Sequence, residues 1–440
     1  MGDFKLAGGV KVQEVNCAGC ANCIKSCPTE AMRVINGCVG ILKDLCIDCG
    51  ECMRNCPHKA IIMDEDEWDL IHSQDNAVLV CDPTFYVQMG AYTDQIHIKH
   101  ALQSWNVTDI SDYAALAFDI SAYSIARSLD NEPSQNLPMI STYCPAVIRL
   151  IQINFPELTG RIVPVDSPLE IAIAIWRDVT GRADDVTLLS PCPAKITLVR
   201  NPVGREESNA RYAVSVRKLV RALLAGGPKV PVTQKNDFNN RWLKWSVTGG
   251  ESAHISHFAE RPLKTISVSG LRNTMDLLKE MELGRLRGID YIECRVCDLG
   301  CIGGVGNAES RFLSKSRLDH MEINWNISDD EMDKINHWHQ REIYRLQKQI
   351  IPTRKDPLAT DLPSAMKRLK DLNRIYAELP HIDCGSCGRP SCRALAEDII
   401  RGQGEMTDCI FKLRETISDL SREIVDLAEH TPHTLRGKRS

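Results

Sequence analysis

Short apolar runs alternate with longer amphipathic stretches along the middle of the chain. Two of these runs, residues 78–81 and 186–189, have the length of buried strands and lead into turn-type sequence. Apolar positions repeat with a helical period between and after them, as in residues 167–179 and 212–224. Strands that alternate with helices favour an α/β domain, and we expect one over residues 71–320.

The two ends of the chain show different patterns. Short apolar runs around Val34–Ile35 and Ile61–Met63 predict small strands in an α+β module at residues 1–70. Beyond residue 320 the pattern is helical and polar. Ser328 and Glu331 have capping-box spacing, which predicts a helix within 328–350, and a second helix is expected at about 364–378 after a proline-containing linker.

A last apolar repeat lies near the C-terminus. Its members follow one another at intervals of four and three residues: Leu413, Ile417, Leu420, Ile424 and Leu427. This spacing is typical of a coiled-coil seam, although it is short for one. The seam either packs on the body of the protein or pairs with a second copy of the chain.

Composition indicates a soluble chain of two to four domains. It has 440 residues, 43% of them hydrophobic, and a formal net charge of −5. We expect no membrane span, no secretory leader and no nucleic-acid partner, and therefore a cytoplasmic location. The 19 cysteines are too many for a metal-free intracellular protein, and most occur in closely spaced groups. Such a load favours an anaerobe or a strictly reduced compartment.

Two cysteine runs near the N-terminus have the spacing of bacterial ferredoxins with two [4Fe–4S] clusters. In that arrangement the fourth cysteine of each run, which precedes a proline, binds the other cluster. The predicted ligand sets are Cys17, Cys20, Cys23 and Cys56 for one cluster, and Cys46, Cys49, Cys52 and Cys27 for the other. Structural zinc sites are the alternative, but they seldom show this spacing twice. The module predicts electron transfer.

Three separated loops supply four further cysteines, and each loop places a cysteine beside glycine or proline. They are Cys144, Cys192, Cys297 and Cys301, and together they can hold one [4Fe–4S] cluster. The order and neighbours of these residues resemble the hydrogen-cluster domain of [FeFe]-hydrogenases. The resemblance implies that the cysteine at position 301 would also bridge to a two-iron catalytic unit. A zinc or purely structural site is the alternative.

The departures from that family pattern fall on the proton path. Tyr143 replaces a cysteine that hands protons to the two-iron unit, and Leu198 replaces a glutamate. Lys195 matches the lysine that binds a cyanide of that unit. Arg295 replaces a methionine and adds a positive charge, which would raise the cluster potential. The carboxylates expected near residues 123–128 are absent, and serines lie there instead.

These departures leave two interpretations of the two-iron unit open. Hydrogen chemistry needs a proton donor within hydrogen-bond reach of the metal, which a leucine cannot supply and a phenol supplies poorly. Lys195 and Cys301 favour retention of the unit, as in a slow hydrogen-sensing site. The bulk of Tyr143 favours a pocket that holds only the [4Fe–4S] cluster.

A fourth cysteine group lies at Cys384, Cys387, Cys392 and Cys409. It resembles the small four-cysteine domain of corrinoid iron–sulfur proteins and, more closely, the version attached to sensory-type [FeFe]-hydrogenases. The resemblance implies a fourth [4Fe–4S] cluster. Three cysteines remain outside these sets. Cys38, on the Gly37–Gly40 turn, is expected to be a small buried residue, Cys294 is expected to be an inert core thiol with a spare ligand as the alternative, and no role is assigned to Cys81. His337 and His339 are expected to be solvated.

The predicted domains are 1–70, ferredoxin-like; 71–320, hydrogenase-like; 321–378, a helical linker; 379–410, a four-cysteine iron–sulfur domain; and 411–440, a helix and tail. The leading hypothesis is a redox relay or sensor subunit with little or no H2 turnover. Alternatives are a slow or sensory [FeFe]-hydrogenase with an intact two-iron site, and a reductive activator of a corrinoid or similar acceptor. The expected partner is a redox protein, such as a ferredoxin or another oxidoreductase subunit, with a homodimer through the last helix as a further option.

Overall fold

The computed structural model describes residues 8–72, 76–88, 95–132, 136–226, 239–353 and 358–430. The protein is a multidomain α/β structure with a small N-terminal module and a helical C-terminal region, as the sequence predicts. Within these ranges, no helix combines the length and apolar character that crossing a bilayer requires.

The N-terminal module is built from two small antiparallel sheets and two short helices. The strands are β1 (Val10–Val12), β2 (Met32–Ile35), β3 (Cys38–Ile41) and β4 (Ile61–Met63), and the helices are α1 (Asn22–Ser26) and α2 (Glu51–Arg54). Strand β1 pairs with β4, and β2 pairs with β3. Each helix begins after a left-handed residue, Ala21 or Gly50, which turns the chain sharply between cysteines.

The central domain contains two parallel sheets. Its strands are β5 (Ala77–Cys81), β6 (Val107–Asp109), β7 (Met139–Ile140), β8 (Val186–Ser190), β9 (Tyr212–Ser215), β10 (Thr265–Ser269) and β11 (Tyr291–Arg295). One sheet has the order β6-β5-β8-β9 and the other β10-β11-β7. Every residue of β5, β8 and β11 is buried. Such continuous burial is typical of parallel strands covered on both faces.

Helices cover these sheets and position the cysteine loops. They are α3 (Trp68–His72), α4 (Thr84–Gln88), α5 (Gln95–Ser104), α6 (Ser111–Asn131), α7 (Pro145–Asn154), α8 (Pro168–Thr180), α9 (Pro193–Arg200), α10 (Val216–Gly226), α11 (Gly250–Phe258), α12 (Leu271–Glu282) and α13 (Arg311–His320). Helices α7 and α9 begin with a proline that directly follows Cys144 or Cys192. Since proline is preorganised for the first helical position, each cysteine is held at a defined helix start.

Most of the elements expected in this domain are confirmed, with one correction. Strands β5 and β8 and helix α8 coincide with the predicted segments to within one or two residues. The helix predicted for residues 212–224 is wrong at its start, where residues 212–215 form β9. These four residues pair in parallel with β8, and three of them are buried, so sheet pairing outweighs the helical periodicity of the segment.

The C-terminal region consists of α14 (Asp329–Gln340), α15 (Leu362–Glu378), α16 (Cys392–Ile400) and α17 (Ile410–Glu429). The capping box at Ser328 and Glu331 is confirmed. Helix α14 ends ten residues before the predicted limit, because Glu342 adopts a positive φ of 53° and the chain turns there. Residues 431–440 of the predicted tail and Pro357 of the predicted linker lie outside the described residues.

Candidate iron–sulfur centres

The first N-terminal cysteine set surrounds a single cavity. Cys17, Cys20, Cys23 and Cys56 line a space of ≈ 330 Å³ whose other walls include Val34, Val39 and Ile61. The side chain of Cys20 is exposed, whereas Cys23 is buried. The structure thus brings together the four residues that the ferredoxin spacing assigns to one cluster, and places one of them at the surface.

The second N-terminal set is more deeply buried. Burial, together with the charge of neighbours that include Cys27, raises the pKa of Cys46, Cys49 and Cys52 well above its usual range. The fourth cysteine of the first run therefore lies among the first three of the second run. The Ala31 amide donates to Cys27 Sγ at 3.2 Å. Amide donors of this kind stabilise charge on cluster sulfurs.

Burial of these thiols bears on whether the cysteines fit a cluster. Desolvation raises the pKa of Cys23 to about 11, so the free thiol holds its proton at neutral pH. A thiol must lose that proton to bind metal. Four thiolates among apolar walls would repel one another unless bound iron supplied positive charge. The donor set and its surroundings therefore fit an iron–sulfur cluster.

The central domain places its four predicted ligands around one cavity. Cys144, Cys192, Cys297 and Cys301 line a space of ≈ 380 Å³. Burial raises the pKa of Cys192 to about 12 and that of Cys297 to about 11. Gly300 has a φ of 98°, and a Cβ there would lie 2.7 Å from the Thr248 amide nitrogen. Only glycine allows the last two cysteines to turn back towards the cavity at this point.

Tyr143 packs beside this cavity between two cations. Its ring centroid lies 3.8 Å from Lys195 Nζ and 4.4 Å from Arg295 Cζ. Phe118 and Trp245 meet the ring at centroid distances of 5.8 and 5.2 Å. The residue is 3% exposed. Cations favour the faces of aromatic rings, so the tyrosine is held in this position by charge as well as by packing.

Lys195 has a carboxylate partner that the sequence interpretation missed. Its Nζ lies 2.5 Å from Asp82 Oδ2, and both side chains are buried. The Tyr143 hydroxyl also donates to Asp82, at 3.4 Å. The sequence contained one signal for this partner, because Asp82 is a charged residue that directly follows the buried strand β5. The lysine is thus committed to neighbours within the protein.

Arg295 is likewise paired. Its Nη2 lies 2.6 Å from Glu251 and 3.4 Å from Glu293, and all three side chains are at most 1% exposed. The positive charge expected from the sequence is therefore opposed by carboxylates on α11 and β11. This pairing reduces the increase in cluster potential that an arginine alone would cause. Glu251 had no recognisable motif around it.

The segment expected to carry protons contains no carboxylate that leads to the cavity. Ser124 is buried on α6, and its hydroxyl lies 2.9 Å from His339 Nδ1. His339 is stacked on Tyr344 at a centroid distance of 4.9 Å, and burial lowers its pKa. The expectation that His339 is solvated holds only in part, because its ring is half-buried in contact with Tyr123 and Tyr344, whereas His337 is exposed. Leu198 lies half-buried on α9.

The three cysteines outside the four sets have different surroundings. Cys81 and Cys294 are buried in β5 and β11, where desolvation raises the pKa of each thiol. Cys38 was expected in a turn but lies at the start of β3, half-buried beside Cys17. Burial and the Cys17 thiol raise its pKa.

The second N-terminal set directly adjoins the central cavity. Cys49 and Asp48 contribute to the walls of that cavity. Arg54 Nη2 donates to Cys297 Sγ at 3.4 Å and to the Gly303 carbonyl at 2.5 Å. This arginine lies between two cysteines of the ferredoxin run, where sequence spacing alone could not identify its contact. The two modules therefore meet at their cysteine sets.

The C-terminal cysteines converge as well. One apolar cluster, around Leu372, Leu379 and Leu395, contains Cys387, Cys392 and Cys409. Burial raises the pKa of the Cys387 thiol, and Cys384 lies close enough for its charge to raise that pKa further. Asp383 accepts from the Cys392 amide at 2.6 Å, and Ser391 caps α16 by accepting from the Ala394 amide. The structure thus brings cysteines of each predicted set close to one another, and their assignment as cluster ligands stays a prediction. A protein with such sets is an iron–sulfur redox protein.

Three family models match the chain. The first, 4Fe-4S dicluster domain, covers residues 16–61. The second, iron only hydrogenase large subunit, C-terminal domain, covers residues 75–223 and 232–305, just over half of the chain. The third, described as "Putative Fe-S cluster", covers residues 379–411. The chain therefore belongs to the family of the iron-only hydrogenase large subunit, C-terminal domain.

Comparison with individual proteins gives more distant likenesses. The large subunit of a corrinoid/iron-sulfur protein from Moorella thermoacetica is 36% identical over 58 residues, 13% of this chain and only 12% of that protein. An [FeFe]-hydrogenase structure concerned with stepwise H-cluster assembly has a TM-score of 0.48 at 13% identity and covers 66% of this chain and 97% of its own. A glutamate-to-glutamine variant of the Chlamydomonas reinhardtii [FeFe]-hydrogenase has the same TM-score and identity, with 64% and 95% covered.

Proposed function

We propose that the protein is an electron-transfer or redox-sensing subunit that carries four [4Fe–4S] clusters and has little or no H2 turnover. The hydrogenase-like domain would store an electron in this view, and the ferredoxin-like module would connect it to other cysteine sets. Such a protein belongs in a reduced, cytoplasmic setting. Its expected partner is a redox protein such as a ferredoxin or another oxidoreductase subunit.

The packing of Tyr143 is the observation that carries this proposal. A two-iron unit attached through Cys301 would need open space beside Lys195. That side of the lysine is taken by the tyrosine ring at 3.8 Å, while Asp82 binds its ammonium group at 2.5 Å. Phe118 and Trp245 support the ring from behind. Moving the ring would separate it from two cations and from a packed aromatic cluster.

Proton supply supports the same conclusion. Burial raises the pKa of Tyr143 well above its usual range, and the charge of Asp82 raises it further. A phenol in such surroundings is a poor proton donor near neutrality, where the most effective donors have a pKa near the working pH. Leu198 offers no exchangeable proton at all. Electron storage does not need either group, so their loss is compatible with a relay.

A restored variant tests the proposal. Tyr143→Cys combined with Leu198→Glu reintroduces the family residues at the two proton-path positions nearest the cavity and opens space beside Lys195. After expression with the hydrogenase maturation enzymes, we expect H2 turnover from this double variant and little or none from the natural chain. The matched control is Tyr143→Ala with Leu198→Glu, which opens the space without the thiol and should stay inactive. Turnover by the natural chain at the rate of a standard [FeFe]-hydrogenase would refute the proposal.

A slow, sensory-type hydrogenase is the second candidate. Lys195 and all four cysteines of the central set line one cavity, which favours a retained two-iron site. In that case the natural chain would release or consume H2 slowly after maturation, and Tyr143→Phe would change the rate. The relay hypothesis expects no effect of Tyr143→Phe on any hydrogen reaction.

A reductive activator of a corrinoid acceptor is the third candidate. It is supported by the 58-residue likeness to a corrinoid/iron-sulfur protein large subunit. The test is anaerobic mixing of the dithionite-reduced protein, freed of excess dithionite, with a corrinoid protein, followed by absorbance at the cob(II)alamin and cob(I)alamin bands. Unchanged corrinoid spectra would exclude this role for the acceptor used.

A homodimer through α17 is part of the partner proposal. The seam residues Leu413, Ile417, Leu420, Ile424 and Leu427 are 40–74% exposed. Isoleucine occupies heptad position a and leucine occupies position d, a combination that favours a coiled coil of two parallel helices. Leu420→Lys should convert a dimer to a monomer in sedimentation, whereas Ser418→Lys, on the outer face, should not. A monomeric natural chain at micromolar concentration would contradict this part.

A further inference from the structure

The C-terminal four-cysteine unit, defined as residues 384–409, contacts the N-terminal module near the opposite end of the chain. The Val34 amide donates to the Gly388 carbonyl at 2.8 Å. Arg33 binds Asp398 through two hydrogen bonds, with Nε at 2.9 Å and Nη2 at 3.3 Å from the carboxylate oxygens. The two side chains are only 5% and 8% exposed. These contacts join two iron–sulfur modules that sequence separates.

The contact lies between two cysteine sets. Gly388 directly follows Cys387, and Val34 forms part of the cavity wall around Cys17, Cys20, Cys23 and Cys56. Lys25, on α1 next to this set, approaches the unit from the same side: its Cε would lie 3.5 Å from a Cβ on Gly385. The unit is therefore adjacent to the first N-terminal set.

The charges at this contact define one docking arrangement. Asp398 also accepts from Arg389 Nε at 3.1 Å, so two buried guanidinium groups share one buried carboxylate. Arg389 in turn donates to the Cys387 carbonyl at 2.8 Å. Buried charges tolerate little displacement, since each must keep its partners. Asp408 supplies the second carboxylate, with its Oδ2 2.9 Å from Arg389 Nη1, so the two guanidinium groups are balanced within the protein.

Together with the contacts of the second N-terminal set, these observations place the four cysteine sets in a row. The set at 384–409 adjoins the Cys17 set, and Cys52 of the second set lies close enough to Cys23 of the first for their charges to interact. Cys49 of the second set in turn lines the central cavity. Helix α17 begins directly after Cys409, at the outer end of this row.

We propose that residues 384–409 form the outer redox unit of this row, and that Arg33 and Asp398 are positioning residues that hold it against the Cys17 set. The inference rests on the proposed relay function. One electron at a time would come from a low-potential donor protein, such as a reduced ferredoxin, and no bond is made or broken. A partner bound to α17 would lie at this outer end of the row of cysteine sets.

A glycine pair provides a matched test. A Cβ at Gly388 would lie 2.0 Å from the Val34 carbonyl oxygen, so Gly388→Ala acts as a wedge between the modules. Gly402 belongs to the same unit and has a similar positive φ, +72° against +78°, but a Cβ there meets nothing within 4 Å. Gly402→Ala therefore carries the same backbone strain without the wedge. The full chain, reconstituted with iron and sulfide, is used for both variants.

Three measurements decide the result. Iron per chain should equal that of the natural protein in both variants. Amide exchange at Val34 should accelerate by about tenfold or more in Gly388→Ala, because its hydrogen bond to residue 388 is lost. In the dithionite-reduced protein, electron paramagnetic resonance should show that spin–spin broadening between the C-terminal and first N-terminal centres is lost in Gly388→Ala and retained in Gly402→Ala.

Two outcomes would overturn the proposal: unchanged broadening despite faster Val34 exchange, or unchanged Val34 exchange in the wedge variant. If Gly388→Ala loses iron, Arg33→Met replaces it, since Asp398 then keeps Arg389 and every cysteine of the unit is untouched. With iron retained, loss of broadening in Arg33→Met supports the proposal, and its persistence refutes it. None of these readouts depends on hydrogen chemistry, so the proposed lack of H2 turnover can fail separately.

Discussion

The cavities around Cys17 and around Cys144 contain similar cysteine sets in opposite surroundings. The first is enclosed by backbone turns and by mostly small or apolar side chains, and Cys20 reaches the surface. The second lies inside the central domain and is bordered by Lys195 and Arg295, which are buried and paired with carboxylates. Cysteine spacing determines that each set can bind a cluster. The surroundings determine what that cluster can exchange with the outside.

The difference also shows what a hydrogenase-like domain can lose without losing its cluster site. In the central domain, Lys195 and Arg295 line the cavity and Tyr143 packs against both of them, which under the proposed function would close the place of a two-iron unit. In the N-terminal module, the first set reaches the surface through the exposed side chain of Cys20. Under the proposed function electrons would leave through the module, whereas the Tyr143 hydroxyl, at the predicted proton-path position of the central domain, would be a poor proton donor because burial raises its pKa.

Removal of a central ligand should have the largest effect on this comparison. Cys301→Ala should lower the iron content by about four atoms per chain, because a cubane lacking one of its four thiolates is lost or degraded. Chemical iron analysis and paramagnetic resonance of the reduced protein measure this loss. The matched control is Cys294→Ala on β11, which is equally buried but outside the set and should retain all iron. Equal iron in both variants would remove Cys301 from the ligand set.

Neutralising Asp82 should have the next largest effect. Asp82→Asn keeps the shape of the side chain but leaves Lys195 without its buried partner, and we expect a loss of about 3 kcal/mol in the free energy of unfolding. Anaerobic denaturant titration of the holoprotein measures it. The exposed pair of Asp178 and Arg341 is the control, and Asp178→Asn should leave stability unchanged within error. An equal change in the free energy of unfolding in the two variants would contradict the conclusion that the charges of Lys195 and Asp82 depend on each other inside the central domain.

Exposure to oxygen should separate the two regions in time. The cluster held by the first N-terminal set should degrade before the cluster of the central set, because Cys20 is exposed and three of the four central cysteines are buried. Samples withdrawn during controlled air exposure and re-reduced with dithionite can be followed by paramagnetic resonance. If both cluster signals disappeared together, or the central signal disappeared first, oxygen would not reach the first N-terminal set more easily than the central set, contrary to this prediction.

The smallest effect is expected at the junction of the two regions. Arg54→Ala removes a charged donor to Cys297 Sγ and should lower the reduction potential of the central cluster by about 50 mV, the equivalent of one hydrogen bond. The direction follows because the more negative, reduced cluster benefits more from the donor. Arg54→Lys keeps the charge but loses the guanidinium geometry, so its reduction potential should lie between those of the natural protein and Arg54→Ala. A potentiometric titration that finds no shift for Arg54→Ala would show that this contact does not tune the cluster.

The sequence could predict the parts of the site that depend on local spacing. The cysteine runs, the strands β5 and β8 and the helix at α8 all follow from short-range patterns. The contacts that distinguish the centres could not be predicted in this way, because Arg54 with Cys297, Asp82 with Lys195 and Glu251 with Arg295 join residues far apart in the chain. The same reason explains why residues 212–215 appeared helical: their partner strand, β8, lies in another segment.

The most direct test of the central claim is an infrared spectrum of anaerobically purified protein produced with the hydrogenase maturation enzymes, accompanied by an iron count. The account predicts no bands in the carbonyl and cyanide region and about 16 iron atoms per chain, as four cubanes require. Carbonyl and cyanide bands together with additional iron would contradict it, because they would mean that a two-iron unit binds beside Cys301 despite Tyr143.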